Sequence, residues 1–454
     1  MKTQLAIFIT IFFFVSCNNP SLYKKEAKKY FREKNYELSL VEINKAIEAE
    51  PDSISNYVLR WQIFDLTGKY KEEITDLNKI IELNSKVKNK SLYSHYQRSI
   101  AQLQLGFYNE ALIDINYFID NGGNAFSLTE AYINKASILY KMNDFKNSEK
   151  FYNLAISENN GKDKSIESQA LIGLAYLTKS LNESLRLLDK AILIDDKNAT
   201  AYNSRATIYM TLNKIDLAYN DLVKAIHLSN PNEKNIATLY YNLGQIYMNY
   251  KNNEDSAAKY YEKAIHLSPQ SPDNGLIYTN LAIIKHHAGK MELALKDFEK
   301  AEAINPQNDI LLYNFSLLLN DLKRNSEALE KINKAIAINP KDADYHDTKG
   351  TICMDLASIN EAIAEYEKAI KINPNSGRTY YNLGYLYGDT KKSDQSIKYY
   401  DKAILLNYDL KSSLVNRALE KRKIKNISGA CADLKKAYNL GRTDTKSLID
   451  ELCN

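Results

Sequence analysis

The chain has 454 residues, with 60 Lys and Arg against 56 Asp and Glu, a net charge of +4 and 44% hydrophobic residues. This near balance of charge excludes a polycation that binds nucleic acid, and the many Tyr, Ile and Leu residues exclude a disordered chain. Only 15 Gly and 8 Pro occur, too few for a sandwich or barrel that turns about every eight to twelve residues. The composition therefore favours an all-helical protein, and the length requires several domains or a solenoid.

The first segment is an apolar leader. Residues 1–16 read MKTQLAIFITIFFFVS, in which a single Lys precedes an apolar run from Leu5 to Val15. A membrane-spanning helix needs about 20 apolar residues, so this shorter run predicts a secretory signal peptide. No later segment of the sequence is apolar enough to suggest a membrane-spanning helix.

The leader ends in a Ser followed by Cys17 and a short polar stretch. This pattern resembles the lipobox of bacterial lipoproteins, although Phe14 stands where that motif usually has Leu. The resemblance implies that Cys17 carries lipid, such as palmitate, at the mature N-terminus, with residues 17–22 as a short linker. Asn18 in place of Asp implies, by resemblance to enterobacterial sorting, the outer membrane and a chain facing the periplasm. Ordinary signal cleavage with an incidental Cys17, or a cytosolic protein with an apolar start, are the alternatives.

Beyond the leader one segment recurs in related forms, among them DKAILID, VKAIHLS, EKAIHLS, NKAIAIN and EKAIKIN. The Ala position of this segment serves as a marker, and successive markers stand 34 to 39 residues apart. A repeat of this length predicts a solenoid in which each unit packs against its neighbours. The twelve markers are Ala46, Ile80, Phe118, Ala155, Ala191, Ala225, Ala264, Ala301, Ala335, Ala369, Ala403 and Ala437.

Every unit carries a similar internal pattern. The residue three before the marker is aliphatic or aromatic, so both positions share one face of a helix. About nineteen residues before the marker stands a small residue, which lets two helices approach closely. The second repeat is the exception, because it has Trp61 at this position. A residue that lacks an N–H ends a helix, and five prolines stand five residues after a marker: Pro51, Pro269, Pro306, Pro340 and Pro374.

This order of small residue, aromatic residue, Ala and Pro resembles the tetratricopeptide repeat over about nine tenths of the chain. The resemblance implies an all-α fold, a right-handed superhelical solenoid of about 12 helix-turn-helix repeats. Longer connections near 229–275 divide it into irregular repeats at 23–228 and more regular repeats at 229–440. Residues 441–454 are expected to form a helix that caps the array.

No nucleotide-binding loop, nucleophile elbow or zinc-protease motif occurs in the sequence. We therefore predict a protein that is not an enzyme and has no cofactor or metal. Cys353 is expected to be a small buried hydrophobe, and His286 and His287 to lie in an exposed turn. In an exported chain Cys431 and Cys453 are candidates for a disulfide, with two separately buried thiols as the alternative.

The resemblance implies a scaffold that holds a protein or peptide partner in its concave groove. The alternative is a structural component of a bacterial envelope complex that acts through its convex face and ends. In the family, the residue two before the small residue faces the groove, where Asn can hydrogen-bond a peptide backbone and a preceding Tyr can add contact area. The same Tyr-Asn pair is also common in the family's average sequence. The predicted groove residues are Asn134, Asn242, Asn280, Asn314, Asn382 and Asn416, with Tyr241, Tyr313 and Tyr381.

Overall fold

The computed structural model describes residues 19–85, 92–122, 125–229, 236–269 and 271–453. Within these ranges it contains twenty-five α-helices, one short 3₁₀ helix and no strand, which confirms the all-α prediction. The predicted signal peptide and Cys17 lie outside the described residues.

The helices form consecutive pairs, each with a first and a second helix, and the chain divides into two compact units, Met1–Glu233 and Lys234–Asn454. The first unit contains α1 (Pro20–Arg32), α2 (Tyr36–Ala49), α3 (Ile54–Thr67), α4 (Tyr70–Ser85), α5 (Tyr93–Gln104), α6 (Tyr108–Asp120), α7 (Ala125–Lys141), α8 (Phe145–Asn159), α9 (Lys164–Leu177), α10 (Leu181–Ile194), α11 (Ala199–Thr211) and α12 (Ile215–Leu228). The second contains α13 (Ile236–Asn249), α14 (Glu254–Leu267), α15 (Asn274–His287), α16 (Met291–Ile304), α17 (Asp309–Asp321), α18 (Asn325–Ile338), α19 (Ala343–Asp355), α20 (Ile359–Ile372), α21 (Gly377–Asp389), α22 (Ser393–Leu405), α23 (Leu410–Lys423), α24 (Ile427–Asn439) and α25 (Lys446–Leu452).

The first helix begins earlier than expected. The side chain of Asn19 accepts a hydrogen bond from the backbone N–H of Leu22 at 3.3 Å, and Pro20 takes the first helical position. An Asn cap and a Pro at the first position both favour a helix start. The predicted linker at 17–22 is therefore wrong in its last three residues, which belong to α1.

The patterned positions form the core. Each marker and each residue three before it is at most 6% exposed, and the small residues of the first helices are buried as well. In three repeats of the second unit, the large residue three before the marker packs directly against the small residue of the first helix. There a tyrosine ring occupies the space beside a glycine, so that an added Cβ would lie within 3 Å of the ring: Gly244 with Tyr261, Gly350 with Tyr366, and Gly384 with Tyr400.

Except between α9 and α10, the two helices of each pair are joined through a residue in the left-handed conformation. Gly68, Gly106 and Gly289 have φ of 73°, 80° and 72°, as expected for glycines in this turn. Other pairs place Asn, Lys or Ala at the same position, for example Ala357 with φ of 56°. Because a residue with a Cβ is disfavoured there, the geometry comes from helix packing and not from glycine alone.

The last helix caps the second unit. Gly441, with φ of 92°, follows the end of α24, and a 3₁₀ turn at Thr443–Thr445 leads into α25. The apolar side of α25 packs against buried residues of the last pair, which confirms the predicted cap helix. The contacting residues are Leu448, Ile449 and Leu452, against Ala418, Ala430 and Leu434.

The glycine–tyrosine contact is testable through Gly350→Ala. Its new Cβ would lie 2.7 Å from the Tyr366 ring, so we expect the free energy of unfolding to fall by about 1–2 kcal/mol, although Ala favours a helix. Urea denaturation followed by circular dichroism measures the change. In a double-mutant cycle with Tyr366→Leu, the double variant should lose less than the two single losses combined, whereas strict additivity would contradict the contact.

Candidate functional site

The six predicted groove asparagines all lie on first helices and are all half-buried. Four of them donate the side-chain amide to another group of the array. Their acceptors are Ser99 Oγ at 2.8 Å for Asn134, Tyr261 Oη at 3.3 Å for Asn280, the Ile310 carbonyl at 2.8 Å for Asn314, and Tyr381 Oη at 3.0 Å for Asn416. Asn242 and Asn382 occupy the same register on α13 and α21.

These hydrogen bonds change what the amides can offer to a ligand. The sequence predicts that each Asn supplies both a donor and an acceptor; in these four residues one of the two amide N–H groups is already engaged, which fixes the orientation of the amide. Within the described residues, their carbonyl oxygens Oδ1 accept no hydrogen bond. The first helices therefore present fixed acceptors, which match the N–H groups of a peptide backbone.

The predicted groove tyrosines pack against other rings of the array. The ring centroids of Tyr241 and Tyr261 are 6.0 Å apart, and those of Tyr313 and Tyr345 are 5.0 Å apart. Tyr381 lies 5.7 Å from the Tyr400 ring. Burial raises the pKa of the Tyr241 and Tyr381 hydroxyls, so both stay protonated at neutral pH. Part of the area expected for a ligand is thus used in packing the repeats.

A hollow of about 1080 Å³ opens beside the last of these asparagines. It lies between α21 and α23, and its lining includes Asn416 and Tyr385, whose side chain is 52% exposed. Gly388 shapes one wall, because a Cβ there would meet Glu420 Oε1 at 2.8 Å. Glu420 is itself buried and accepts a hydrogen bond from Lys423 at 2.6 Å. The hollow can therefore take a polar segment with an apolar contact to Tyr385.

The sequence interpretation missed a recurring arginine–aspartate pair. Arg205 Nε and Nη2 both donate to the carboxylate of Asp221 at 2.8 Å, and Nη1 donates to Asp189 of the preceding repeat at 2.8 Å. Arg205 stands directly before the small residue of its first helix, and Asp221 follows Arg205 by sixteen residues. This spacing is visible in the sequence and would have revealed the pair. The same bidentate geometry occurs at Arg60 with Asp76, Arg98 with Asp114, and Arg417 with Asp433.

These pairs join repeats and are not open to a ligand. The four aspartates are at most 6% exposed, and each arginine is held between its own second helix and that of the preceding repeat. A buried charge left without its partner is costly. The pairs therefore help to fix the angle between the repeats that they join, and only Arg417 shares a repeat with one of the asparagines, Asn416.

The cysteines have two different roles. Cys431 on α24 and Cys453 after α25 are joined by a disulfide, with their Cα atoms 5.6 Å apart. Cys353 is fully buried, and burial raises the pKa of its thiol to about 11. Its thiol is therefore protonated at neutral pH and unsuited to nucleophilic attack.

Each of the two adjacent histidines, His286 and His287, contacts a carboxylate. His286 lies 2.8 Å from a carboxylate oxygen of Asp321, and His287 lies 2.8 Å from one of Glu254. In the part of the chain that the structure describes, no group of three or more His, Cys, Asp or Glu residues could hold a metal ion. None of the described helices combines the length and the apolar character needed to cross a membrane.

The disulfide is testable through Cys453→Ser. Closing a chain segment of 22 residues stabilises the capped state by about 3 kcal/mol in the chain-entropy model, so we expect the variant to lose protection from hydrogen exchange in α25. Cys353→Ser, which lies outside the bridge, should leave that protection unchanged. Alkylation of both Cys431 and Cys453 in the unreduced, denatured protein, detected by mass spectrometry, would contradict the bridge.

Family models recognise the repeats. The tetratricopeptide repeat model matches residues 129–161, 199–232, 237–271, 276–308 and 377–410. A TPR repeat model matches residues 350–391. These segments are tetratricopeptide repeats, which confirms that part of the sequence interpretation.

Among curated proteins, the chain is similar to the DnaJ protein P58IPK homolog B of Oryza sativa subsp. japonica, at 25% identity over 242 residues and 53% of this chain. The chain spans 45% of the length of that relative.

The solved structures to which the chain is similar include the following three. One is the APC/C hetero-tetramer Cut9–Hcn1, at 14% identity, 99% coverage of both chains and a TM-score of 0.47. Another is PilF of Pseudomonas aeruginosa, at 20% identity, 49% of this chain, 100% of that chain and a TM-score of 0.42. The third is YrrB, described as a TPR protein with an unusual peptide-binding site, at 23% identity, 42% of this chain, 95% of that chain and a TM-score of 0.35.

Proposed function

We propose that this chain of tetratricopeptide repeats is a non-enzymatic scaffold that binds an extended segment of a partner protein along its first helices. The observation that carries the proposal is the set of fixed amides. Asn280, Asn314 and Asn416 of the second unit stand at one register of their repeats, the first two in successive repeats, and Asn134 holds the same register in the first unit; each has one amide N–H engaged and its carbonyl oxygen open to a donor.

This arrangement suits a peptide backbone. Each hydrogen bond contributes roughly 0.5–1.5 kcal/mol net, so useful affinity requires hydrogen bonds from several repeats at once. Neighbouring packed helices lie roughly 8–10 Å apart, which corresponds to about three residues of an extended chain at roughly 3.3 Å each. A bound segment therefore meets a new repeat about every third residue. Because every residue except proline has a backbone N–H, recognition tolerates different side chains.

We further propose that the scaffold is exported and anchored by lipid on Cys17 in the bacterial envelope, at the outer membrane and facing the periplasm. The apolar leader and the residues around Cys17 support this location. The bond between Cys431 and Cys453 supports it independently, because structural disulfides persist in oxidising compartments outside the cytosol. The array then presents its first helices to partners in that compartment.

The peptide-binding proposal is tested by combining Asn242→Ala, Asn280→Ala and Asn314→Ala. Single changes should weaken binding only slightly, whereas the triple variant should lose about 3 kcal/mol of binding free energy. A peptide array probed with the purified chain first identifies bound segments, and fluorescence anisotropy then measures their affinity.

A matched control changes three exposed asparagines of second helices, Asn153, Asn220 and Asn333, to Ala, and should keep full affinity. Backbone N-methylation of a bound peptide should weaken it as the triple variant does. If the triple variant folds normally and binds at unchanged affinity, recognition lies on the second helices or at the ends of the array.

The anchoring proposal is tested by Cys17→Ser. Without the thiol no lipid can be attached, so we expect the protein to leave the membrane fraction or to keep its leader. Cys353→Ser should fractionate like the parent. Identical membrane fractionation and electrophoretic mobility for Cys17→Ser and the parent would refute the anchor.

A further inference from the structure

The first helix carries a basic face. Lys25, Lys28, Lys29 and Arg32 stand three or four residues apart, so they share one side of α1, and all four are exposed. Within Pro20–Arg32, five basic residues stand against the single acidic Glu26. The helix thus has a net charge of +4, equal to that of the whole chain.

This side of α1 corresponds to one that later repeats bury. Two residues after the small residue of the first helix, later repeats place fully buried Ile246, Leu318 and Ile352. In α1 the equivalent residue is the exposed Lys29, and Leu22 on the same side is 48% exposed. The position that packs against a preceding repeat elsewhere is therefore basic and solvent-facing here.

Solubility alone does not account for the sign of the charge. A terminal helix of a repeat array needs a polar outer face, but mixed charges satisfy that need. The opposite cap, α25, has such a mixture, with Lys446, Asp450 and Glu451. The face of α1 is basic throughout.

Neighbouring residues neutralise this face only weakly. Lys29 approaches Glu26 at 3.7 Å, while Lys25, Lys28 and Arg32 form no ion pair with any residue that the structure describes. The pKa of Lys24, which donates to Ser55, is lowered by burial and by the nearby charge of Lys28. The ammonium groups thus repel one another, and an external anionic surface would relieve that repulsion.

The closeness of α1 to Cys17 in the sequence indicates that the anionic surface is a membrane. Pro20 follows Cys17 by three positions in the sequence, a distance of at most about 11 Å in extended chain. The Debye length at physiological ionic strength is about 8 Å. A lipid on Cys17 would therefore hold α1 near the headgroups, where its charges act on them.

We propose that Lys25, Lys28, Lys29 and Arg32 dock α1 on an anionic phospholipid surface. The inference rests on the proposed envelope location and adds a second membrane contact to the lipid. An acyl anchor joined to a basic patch binds more stably than either signal alone, and each basic residue near an anionic leaflet strengthens binding about fivefold. The contact would hold the first repeat against the membrane.

The test compares the reactivity of lysines in the full chain on two membranes. The protein is reconstituted in vesicles of phosphatidylcholine alone, or of equal parts phosphatidylcholine and phosphatidylglycerol. An amine-reactive reagent labels exposed lysines, and mass spectrometry gives a rate for each. Exposed Lys146, Lys162, Lys214 and Lys224 serve as internal controls, since they lie on later helices or connections.

We expect Lys25, Lys28 and Lys29 to be labelled several-fold more slowly on the anionic vesicles, and high salt to remove the difference. The control lysines should react equally on both membranes. In a variant with Lys28→Gln and Arg32→Gln, the labelling of Lys25 and Lys29 should return toward the rate on neutral vesicles. A variant of equal charge, Lys146→Gln with Lys162→Gln, should retain the protection.

Equal labelling of α1 on both membranes would overturn the proposal and leave the face as a solvated cap. Protection that persists in the Lys28→Gln, Arg32→Gln variant would do the same, because charge would not be its cause. Failure of the anchor is a separate result. An N-terminal peptide of unmodified mass would refute lipid on Cys17 while the labelling difference still reports on the basic face.

Discussion

Apart from the second pair, which has Trp61 at the small-residue position, the helix pairs depend on one contact, between a large side chain on the second helix and the space left by a small residue on the first. Tyr261, Tyr366 and Phe298 are among the largest fully buried side chains of the protein. Because burying such a ring stabilises the fold by roughly 1.5–3 kcal/mol and overpacking costs about as much, both positions are constrained.

The tyrosine of this contact can also orient a predicted groove residue. The Tyr261 ring fills the space beside Gly244, and its hydroxyl accepts the amide of Asn280 from the next repeat. The Tyr261 side chain therefore determines how closely the two helices of its pair approach, and it orients the Asn280 amide in the next repeat. The arginine–aspartate pairs act across other repeat boundaries, as where Arg205 bonds both to its own second helix and to Asp189 of the preceding one. Rigid acceptors on the first helices follow from this packing.

The repeat could be predicted because its core positions recur within each unit. The marker, the residue three before it and the small residue each respond to contacts inside one helix pair, so their spacing is visible in the sequence. Even the second pair, where Trp61 replaces the small residue, forms its helices. Trp61 is buried in one cluster with Leu77 and Ile63.

The state of three of the four amides could not be predicted, because it depends on residues in other repeats; Asn314 instead donates to Ile310 of its own helix. Asn134 donates to Ser99, thirty-five residues away, and no periodic pattern identifies that acceptor. The start of α1 was missed for a different reason, because Asn19 and Pro20 act as a local cap outside the repeat pattern. The arginine–aspartate pair had a readable spacing but occurs in only some repeats, so the shared pattern did not reveal it.

The central claim, that partners bind along the first helices, is tested most directly by site-specific photocrosslinking in intact cells. A photoreactive amino acid replaces Tyr385, which is exposed in the hollow beside α21, or Leu405, which is 74% exposed on the second helix α22. Illumination should join a partner to the chain through position 385 and not through position 405, and the triple asparagine variant should reduce the yield. Crosslinking through position 405 alone would contradict the account.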